Sequence, residues 1–388
     1  MAIPLAYNLR NIRQRWQVTL LAIAGIALVV TVFVIMIALT SGLRIALAAT
    51  GSLDNAIVVQ RGANAELTSG IAKANADVIA ADNRVARTRD GKPAVSPEIV
   101  VVATLPKRAD GLQANVQLRG VSPAAFDVRA NVRVTEGRRM EPGTTEVIVG
   151  RRVIERFSGA DVGSSIRIKQ RDWLVVGVFD ADDSSFESEI WGALDVMASV
   201  FNRQGGYQSL TVKMADPGQI DAWATEVKAN PRLPVDIKSE PAFYEEQAGP
   251  VAGALLGLTI FVSFVMAIGA VFGAMNTMYA VVSLRTREIG TLRALGFARR
   301  SILVSFVLES TFIALVAGAI GVLLALPANG LTTATGNVTF SELAFAFRIT
   351  PPAIVGGMTF AGFMGVVGGL LPALRAARLP ILSALREA

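Results

Sequence analysis

The chain has 388 residues, of which 52% are hydrophobic and 18% charged, and its mean hydropathy of +0.48 excludes an ordinary soluble protein. Its net charge of +6 would favour nucleic-acid binding only if the basic residues were spread over a soluble domain. The chain has no histidine and no cysteine, which excludes Ser-His-Asp and Cys-His catalysis, disulfide bonds and most transition-metal sites.

The first apolar run covers residues 18–39 and carries no charge. A helix needs about 20 apolar residues to cross ~30 Å of hydrocarbon, so residues 18–48 are predicted as transmembrane helix 1 and its stalk. Residues 1–17 are predicted as a cytoplasmic amphipathic segment. A signal peptide cleaved after Ala46-Leu47-Ala48 is the alternative, although the apolar run is longer than the core of a signal peptide.

Residues 49–242 predict a folded α+β domain, because strand and helix patterns mix there without a strict β-α-β rhythm. Alternating or β-branched runs predict strands at 56–60, 98–104, 115–119, 146–149, 165–169, 173–179 and 209–213. Helical patterns predict helices at 69–81, 151–158, 194–202 and 218–229.

An acidic stretch at residues 180–189 is the best candidate for metal binding in this domain. It fails the EF-hand pattern for Ca²⁺, because Ser185 stands at the glycine position and Trp191 at the position of the bidentate glutamate. A mobile, solvated loop is the favoured interpretation. A Walker A loop is also excluded, because the Gly91-Lys92 pair is followed by proline and lacks the preceding glycine.

Three further apolar runs complete the predicted membrane part. The predictions are a stalk with transmembrane helix 2 (243–284), a cytoplasmic loop (285–300), helix 3 (301–327), an extracytoplasmic loop (328–349), helix 4 (350–374) and a cytoplasmic tail (375–388). The predicted fold class is therefore an α-helical membrane protein with four transmembrane helices and an α+β extracytoplasmic domain inserted between the first and second.

The basic residues indicate the orientation of this arrangement. The N-terminal segment, the 285–300 loop and the tail are rich in arginine, and in a four-span chain all three lie on one side. The positive-inside rule then makes both termini cytoplasmic and the large domain extracytoplasmic. In residues 41–248 acidic side chains slightly outnumber basic ones, which argues against nucleic-acid binding.

Two features of the apolar runs predict helix packing. The small-residue motifs Gly253-x-x-x-Gly257, Gly269-x-x-x-Gly273 and Gly365-x-x-x-Gly369 allow close helix approach, either within one chain or between subunits. Glu309 lies inside the third span, where a central carboxylate costs roughly 2.5–3.5 kcal/mol. A structural and a mechanical role both remain open for it.

The loop between the second and third spans predicts a short amphipathic helix. Ile289, Leu292 and Leu295 recur at helical spacing, Thr286 is a candidate N-cap, and Gly296 is a natural stop. The charged residues lie off this apolar stripe and would face the cytosol. A simple interfacial anchor would show the same pattern.

Residues 276–325 resemble the hallmark region of the FtsX-like permeases, the membrane subunits of type VII ABC systems that include MacB and the lipoprotein-releasing Lol permeases. The R-T-R-E-I-G-x-x-R-A-L-G core matches from Arg285 to Gly296, and Glu309 matches the acid that follows it. Residues 372–386 resemble the closing motif of the family. Residues 136–168 and 173–180 resemble its periplasmic core domain.

The resemblance implies a coupling helix that docks into an ABC ATPase. The residues that would carry this coupling are Arg285, Arg287, Glu288, Gly290, Arg293 and Gly296, with Glu309 as an intramembrane polar residue. It implies no catalytic, cofactor-binding or metal-binding residue on this chain, so ATP and Mg²⁺ would be held by the ATPase. MacB carries its ATPase before the first span, where only 17 residues stand here, so the expected ATPase is a separate protein.

The expected function is that of a permease subunit in an ABC exporter for a lipid-like or amphiphilic substrate in a bacterial inner membrane. The alternative is an FtsX-like signalling subunit that activates a periplasmic cell-wall hydrolase without transport. The implied partners are membrane lipids and a second permease copy, with a homodimer favoured over a heterodimer. A periplasmic membrane-fusion adaptor is a further candidate partner, and no nucleic acid is expected.

Overall fold

The computed structural model describes residues 16–88, 90–336 and 342–380. The chain divides into two compact units. The helical unit contains the described parts of Met1–Gly42, Ala254–Leu331 and Phe347–Ala388, and the inserted domain contains Leu43–Gly253 and Thr332–Ala346. Residues 1–15 of the predicted N-terminal segment and residues 381–388 of the predicted tail lie outside the described residues.

Helices account for most of the helical unit and for short segments of the inserted domain. In chain order they are α1 (Trp16–Ala48), α2 (Lys73–Ala80), α3 (Ala125–Val128), α4 (Arg151–Arg156), α5 (Leu194–Val200), α6 (Ile220–Ala229), α7 (Glu240–Leu284), α8 (Thr286–Ala294), α9 (Arg299–Ala325) and α10 (Pro351–Arg378). The four helices predicted in the inserted domain are confirmed as α2, α4, α5 and α6, each shorter than its sequence pattern.

In the described part of the chain, four helical segments are long and apolar enough to cross a membrane. They are Leu20–Ala48, Gly249–Leu284, Arg299–Ala328 and Pro351–Arg378. Each coincides with one predicted span. The second belongs to α7, which continues without a break for 45 residues even though Pro250 lies inside it.

The glycine motifs of these helices behave differently from one another. Gly365 and Gly369 of α10 pack against α9, since Ser310 Oγ donates to the Gly365 carbonyl at 2.9 Å. A Cβ added at Gly369 would lie 1.9 Å from Ser310 Oγ, so this pair serves packing within the chain. At Gly269 and Gly273 of α7, an added Cβ would meet nothing within 4 Å among the described residues.

The strands belong mainly to the inserted domain. They are β1 (Asn55–Gln60), β2 (Ile71–Ala72), β3 (Val95–Pro106), β4 (Gln113–Val121), β5 (Arg133–Gly137), β6 (Glu146–Gly150), β7 (Ser165–Ile168), β8 (Arg171–Asp180), β9 (Glu189–Ala193), β10 (Gly206–Tyr207), β11 (Ser209–Lys213), β12 (Val235–Ser239), β13 (Thr332–Gly336) and β14 (Glu342–Ala346). All seven predicted strands are confirmed. Short or charged segments, among them β5, β9 and β12, were not predicted.

One mixed sheet organises the inserted domain within the described residues. Its order is β12-β1-β11-β3-β4-β9-β6-β8-β5, and β7 pairs with β8 outside this path. The pairs β4–β9 and β6–β8 are parallel, and the other pairs of the sheet are antiparallel. Strands β7 and β8 form a hairpin, with Lys169 and Gln170 at positive φ in the turn.

A second hairpin lies in the segment that the sequence predicts as a loop at residues 328–349. Strands β13 and β14 pair antiparallel and belong to the inserted domain. Ala344 and Phe345 are buried, and the Ala344 N–H donates to Ser188 Oγ at 3.2 Å. Arg152 Nη1 donates to the Ala344 carbonyl at 2.5 Å. The hairpin is therefore fixed to the inserted domain by hydrogen bonds as well as by apolar packing.

Candidate functional site

The predicted coupling segment forms helix α8, which occupies residues 286–294 rather than the whole predicted range from Arg285 to Gly296. Gly296 follows the helix with φ +93°, a conformation that favours glycine and ends the helix as predicted. The prediction of Thr286 as N-cap is wrong. Arg285 occupies the cap position, and Thr286 Oγ1 donates backwards to the Ser283 carbonyl at 2.8 Å.

Arg285 does not face solvent, unlike its neighbours Arg287 and Glu288. It is buried, and its Nη1 donates to Glu309 Oε2 at 2.9 Å, with both side chains less than a tenth exposed. The Arg285 guanidinium also lies 5.8 Å from the centre of the Phe306 ring. The reason is electrostatic: a carboxylate inside an apolar helix bundle needs a compensating cation, and Arg285 at the end of α7 reaches it. The salt bridge therefore joins the start of the coupling segment to α9.

The remaining predicted coupling residues differ in exposure. Arg287 and Glu288 are exposed on α8, whereas Gly290 is buried and Arg293 is half-buried. The apolar stripe is only partly confirmed, because Ile289 is 2% exposed but Leu295 is 71% exposed. Ile289 packs with Ile302 and Phe306 of α9 and with Ala373 of α10. Helix α8 therefore packs against α9 and α10 through Ile289.

A network of buried charges lies in the inserted domain, and the sequence analysis did not predict it. Arg119 of β4 is fully buried and donates to three glutamates: Glu66 at 2.7 Å, Glu98 at 2.6 Å and Glu189 at 2.7 Å. Its contact with Glu189 is bidentate, through Nε and Nη2. Gln117 Nε2 and Trp191 Nε1 also donate to Glu189. The signal available in the sequence is one charged residue in each of the three strands β3, β4 and β9.

Arg129 extends this network. It is buried, pairs with Glu98, and donates from Nε to Glu240 Oε1 at 3.0 Å. The Phe186 ring lies 5.3 Å from the guanidinium carbon of Arg119 and 4.6 Å from that of Arg129. Two arginines thus face four buried glutamates, so the network carries more acidic than basic groups.

The pKa values of two of these glutamates, Glu66 and Glu189, shift in opposite directions. Burial raises the pKa of Glu66, but the Arg119 charge and its hydrogen bonds outweigh burial and hold that pKa below 4.5. Burial raises the pKa of Glu189 above 4.5, and Arg119 only partly offsets it while the Glu66 charge adds to the rise. Glu189 is therefore the member of the network that protonates more readily than an ordinary glutamate.

The prediction of a solvated loop at residues 180–189 is wrong for the second half of this stretch. Asp182 and Asp183 are exposed, but residues 184–189 are buried rather than solvated. The buried part forms a short 3₁₀ helix at Ser185–Ser188 that carries Phe186 into the network. Among the described residues, no group of three or more Asp, Glu, His or Cys side chains could hold a metal ion.

The network lies where three chain segments enter the inserted domain. Thr50, just after α1, donates to Ser185 Oγ at 2.8 Å. Glu240 begins α7 and accepts from Asn55 Nδ2 at 2.9 Å as well as from Arg129. The β13–β14 hairpin binds Ser188 through the Ala344 N–H, next to the same 3₁₀ helix. All three segments are therefore hydrogen-bonded to one buried cluster.

Two models of known protein families match this chain, one in its N-terminal part and one in its C-terminal part. A family model for the MacB-like periplasmic core domain matches residues 19–230, and a model for the FtsX-like permease C-terminal region matches residues 260–381. The chain belongs to this family of ABC transporter permeases. The resemblance found in the sequence is thereby confirmed.

Individual relatives agree with this assignment. An uncharacterized ABC transporter permease of Methanocaldococcus jannaschii is 30% identical over 234 residues, which cover 58% of this chain and 57% of the relative. The macrolide export ATP-binding/permease protein MacB of Pasteurella multocida is 28% identical over 396 residues, 95% of this chain and 58% of the relative. The chain thus spans little more than half the length of these relatives.

Among solved structures, the periplasmic region of MacB from Actinobacillus actinomycetemcomitans is similar to part of the permease. It is 14% identical and covers 50% of this chain and 92% of the solved chain, with a TM-score of 0.37.

The Arg285–Glu309 salt bridge is open to a double-mutant test. Glu309→Leu leaves the Arg285 guanidinium buried without a counter-charge, which typically costs about 3–5 kcal/mol of unfolding free energy. Replacing both residues (Arg285→Met with Glu309→Leu) removes both charges, so the double variant is expected to lose less than Glu309→Leu alone. Unfolding of the full chain in detergent measures all variants, and Glu309→Gln serves as the conservative control. Additive losses would show that the two side chains do not interact.

The pKa shifts of the buried network predict how stability depends on pH. A glutamate with a raised folded pKa takes up its proton at a higher pH in the folded state than in the unfolded state, so Glu189 makes unfolding less favourable as the pH falls through its raised pKa towards 4.5. Glu66 acts in the opposite direction, and its contribution is lost only below 4.5, as the pH falls through its lowered pKa. The Glu189→Gln variant is expected to show a smaller rise in unfolding free energy between about pH 7 and about pH 5.

Denaturant unfolding of the full chain, followed by tryptophan fluorescence, measures this difference. Trp173, Trp191 and Trp223 are all buried in the inserted domain and report on it. Identical pH profiles for the wild type and Glu189→Gln would contradict the assignment of the raised pKa to Glu189.

Proposed function

We propose that this permease couples ATP hydrolysis by an ABC ATPase partner to the export of a lipid-like or amphiphilic substrate. The observation that carries the proposal is the buried salt bridge between Arg285 and Glu309. It ties the first residue of the coupling segment to a candidate membrane helix. A force applied to α8 would be transmitted to α7 through the chain and to α9 through the salt bridge.

The ATPase-facing surface in this proposal is the exposed side of α8. Arg287 and Glu288 are neighbours there, and both are exposed. Arginine and glutamate side by side offer a donor and an acceptor to a partner groove, which favours a specific docked orientation over simple charge attraction. ATP and Mg²⁺ would be held by the ATPase partner, and the permease would work as a dimer.

The proposed location is a bacterial inner membrane, with both termini cytoplasmic and the inserted domain periplasmic. The support is the positive-inside distribution of arginine around four helices of spanning length. An adaptor protein would dock on the periplasmic side. An FtsX-like signalling role is the second candidate, and the match to the FtsX-like C-terminal region over residues 260–381 is equally compatible with it.

Reversing the charge of Glu288 tests whether α8 couples the permease to the ATPase. Glu288→Lys is expected to weaken co-purification with the ATPase and to uncouple ATP hydrolysis, since losing one partner of a docked charge pair costs about 2–5 kcal/mol. Arg299→Ala, at an exposed arginine outside α8, is the control and should cost only ~0–1 kcal/mol. The ATPase bound per permease is quantified in one detergent for all variants. If Glu288→Lys bound as much ATPase as the wild type, α8 would be only a membrane anchor.

Single-cysteine labelling tests the orientation, and the natural chain has no cysteine to interfere. Asn83 and Ser199 are exposed in the inserted domain, and Thr291 is exposed on α8. Each is replaced by cysteine in a separate variant: Asn83→Cys, Ser199→Cys and Thr291→Cys. In intact spheroplasts an impermeant maleimide should label the first two. Thr291→Cys should react only after lysis, so its labelling in sealed spheroplasts would refute the proposed topology.

A further inference from the structure

The inserted domain contains a cavity of about 580 Å³ that no part of the coupling mechanism uses. Its walls come from α2, α3, α5, β3, β4, β9, β10 and the segments that follow β5 and precede β10. A volume of this size lies within the range of about 300–1,000 Å³ that is usual for small-molecule sites. Phe126, Leu194, Ala198 and Tyr207 give it a mainly apolar lining.

The charged residues around this cavity are mostly basic. Lys73, Arg139 and Arg203 line it and are exposed, against the single acid Asp195. The Arg139 guanidinium lies 4.3 Å from the centre of the Phe126 ring, which holds its charge directly over an apolar wall. Apolar surface and a cation therefore lie side by side, an arrangement that fits a ligand with an acidic head and an apolar body.

A neighbouring cavity provides a contrast. Its volume is about 520 Å³, and it shares Ser122, Pro123 and Tyr207 with the first. Its charged lining is reversed, with Asp77, Asp90 and Asp127 against Lys92. An acidic headgroup is repelled there and attracted by the first cavity, so the charge pattern assigns such a ligand to one side of the shared wall.

We propose that the first cavity binds an anionic amphiphile. Its acidic headgroup would contact Lys73, Arg139 and Arg203, and its apolar chain would pack against Phe126, Leu194 and Tyr207. The inference rests on the proposed export function only in naming the class of substrate, because binding to the cavity needs neither ATP nor an ATPase.

Photolabelling of the full chain in phosphatidylcholine nanodiscs, without ATPase, tests the proposal. Three probes share one diazirine-bearing palmitoyl chain and differ only in the headgroup: a carboxylate, a trimethylammonium group and a neutral glyceryl ester. Mass spectrometry of the peptides locates the adducts. The carboxylate probe is expected to label residues 121–126 and 193–207, and unlabelled palmitate should compete. Adducts on the candidate membrane helices serve as the internal standard for partitioning into the bilayer.

Variants separate charge recognition from the shape of the cavity. Arg139→Glu with Arg203→Glu should reduce cavity labelling at least about tenfold, since two favourable charge contacts become repulsive. Ala198→Trp should reduce it by filling the cavity. The matched control is Arg167→Glu with Arg171→Glu, which makes the same change of charge at exposed positions of the β7–β8 hairpin and should label normally.

Three results would overturn the proposal: equal cavity labelling by the trimethylammonium probe, undiminished labelling of the Arg139→Glu/Arg203→Glu variant, or carboxylate adducts confined to the helices. Failure of the proposed function has a different signature. A permease that binds no ATPase could still be labelled in the cavity by the carboxylate probe. A permease that binds and stimulates an ATPase could remain unlabelled there.

Discussion

The burial of Arg119 constrains the whole inserted domain. A fully buried guanidinium loses its hydration at a cost of several kcal/mol, and only close, well-oriented carboxylates compensate for that loss. Glu66, Glu98 and Glu189 provide them from a 3₁₀ turn, from β3 and from β9. Because each contact has a fixed direction, the register of β4 with both neighbouring strands and the position of the turn are set together.

The same constraint reaches the segments through which the inserted domain joins the rest of the chain. Glu98 is shared between Arg119 and Arg129, and Arg129 binds Glu240 at the start of α7. The 3₁₀ helix that places Phe186 beside both guanidinium groups also binds Thr50 and the β13–β14 hairpin. A displacement of any one of these segments would disturb hydrogen bonds of the others, so the domain can respond to all three as one body.

Sequence reasoning predicted what depends on local pattern. Long apolar runs predicted the four long helices, alternating or β-branched runs predicted seven strands, and the motif around Glu288 indicated the family. It missed contacts between residues far apart in the chain: Arg285 with Glu309, Arg119 with Glu66, and Arg152 with the carbonyl of Ala344. The acidic stretch at 180–189 was predicted to be solvated for the same reason, since Glu189 at its end pairs with Arg119, 70 residues earlier in the chain.

Both units of this permease contain buried ion pairs. Replacing such a pair by well-packed apolar residues is often neutral or stabilising by about 1–4 kcal/mol, so stability alone does not explain them. Apolar contacts are non-directional and tolerate repacking at nearly constant energy, whereas a bidentate salt bridge is either made or broken. The Arg285–Glu309 contact therefore fixes the residue before α8 against α9, and the contacts of Arg119 fix β3, β4 and β9 of the inserted domain against one another.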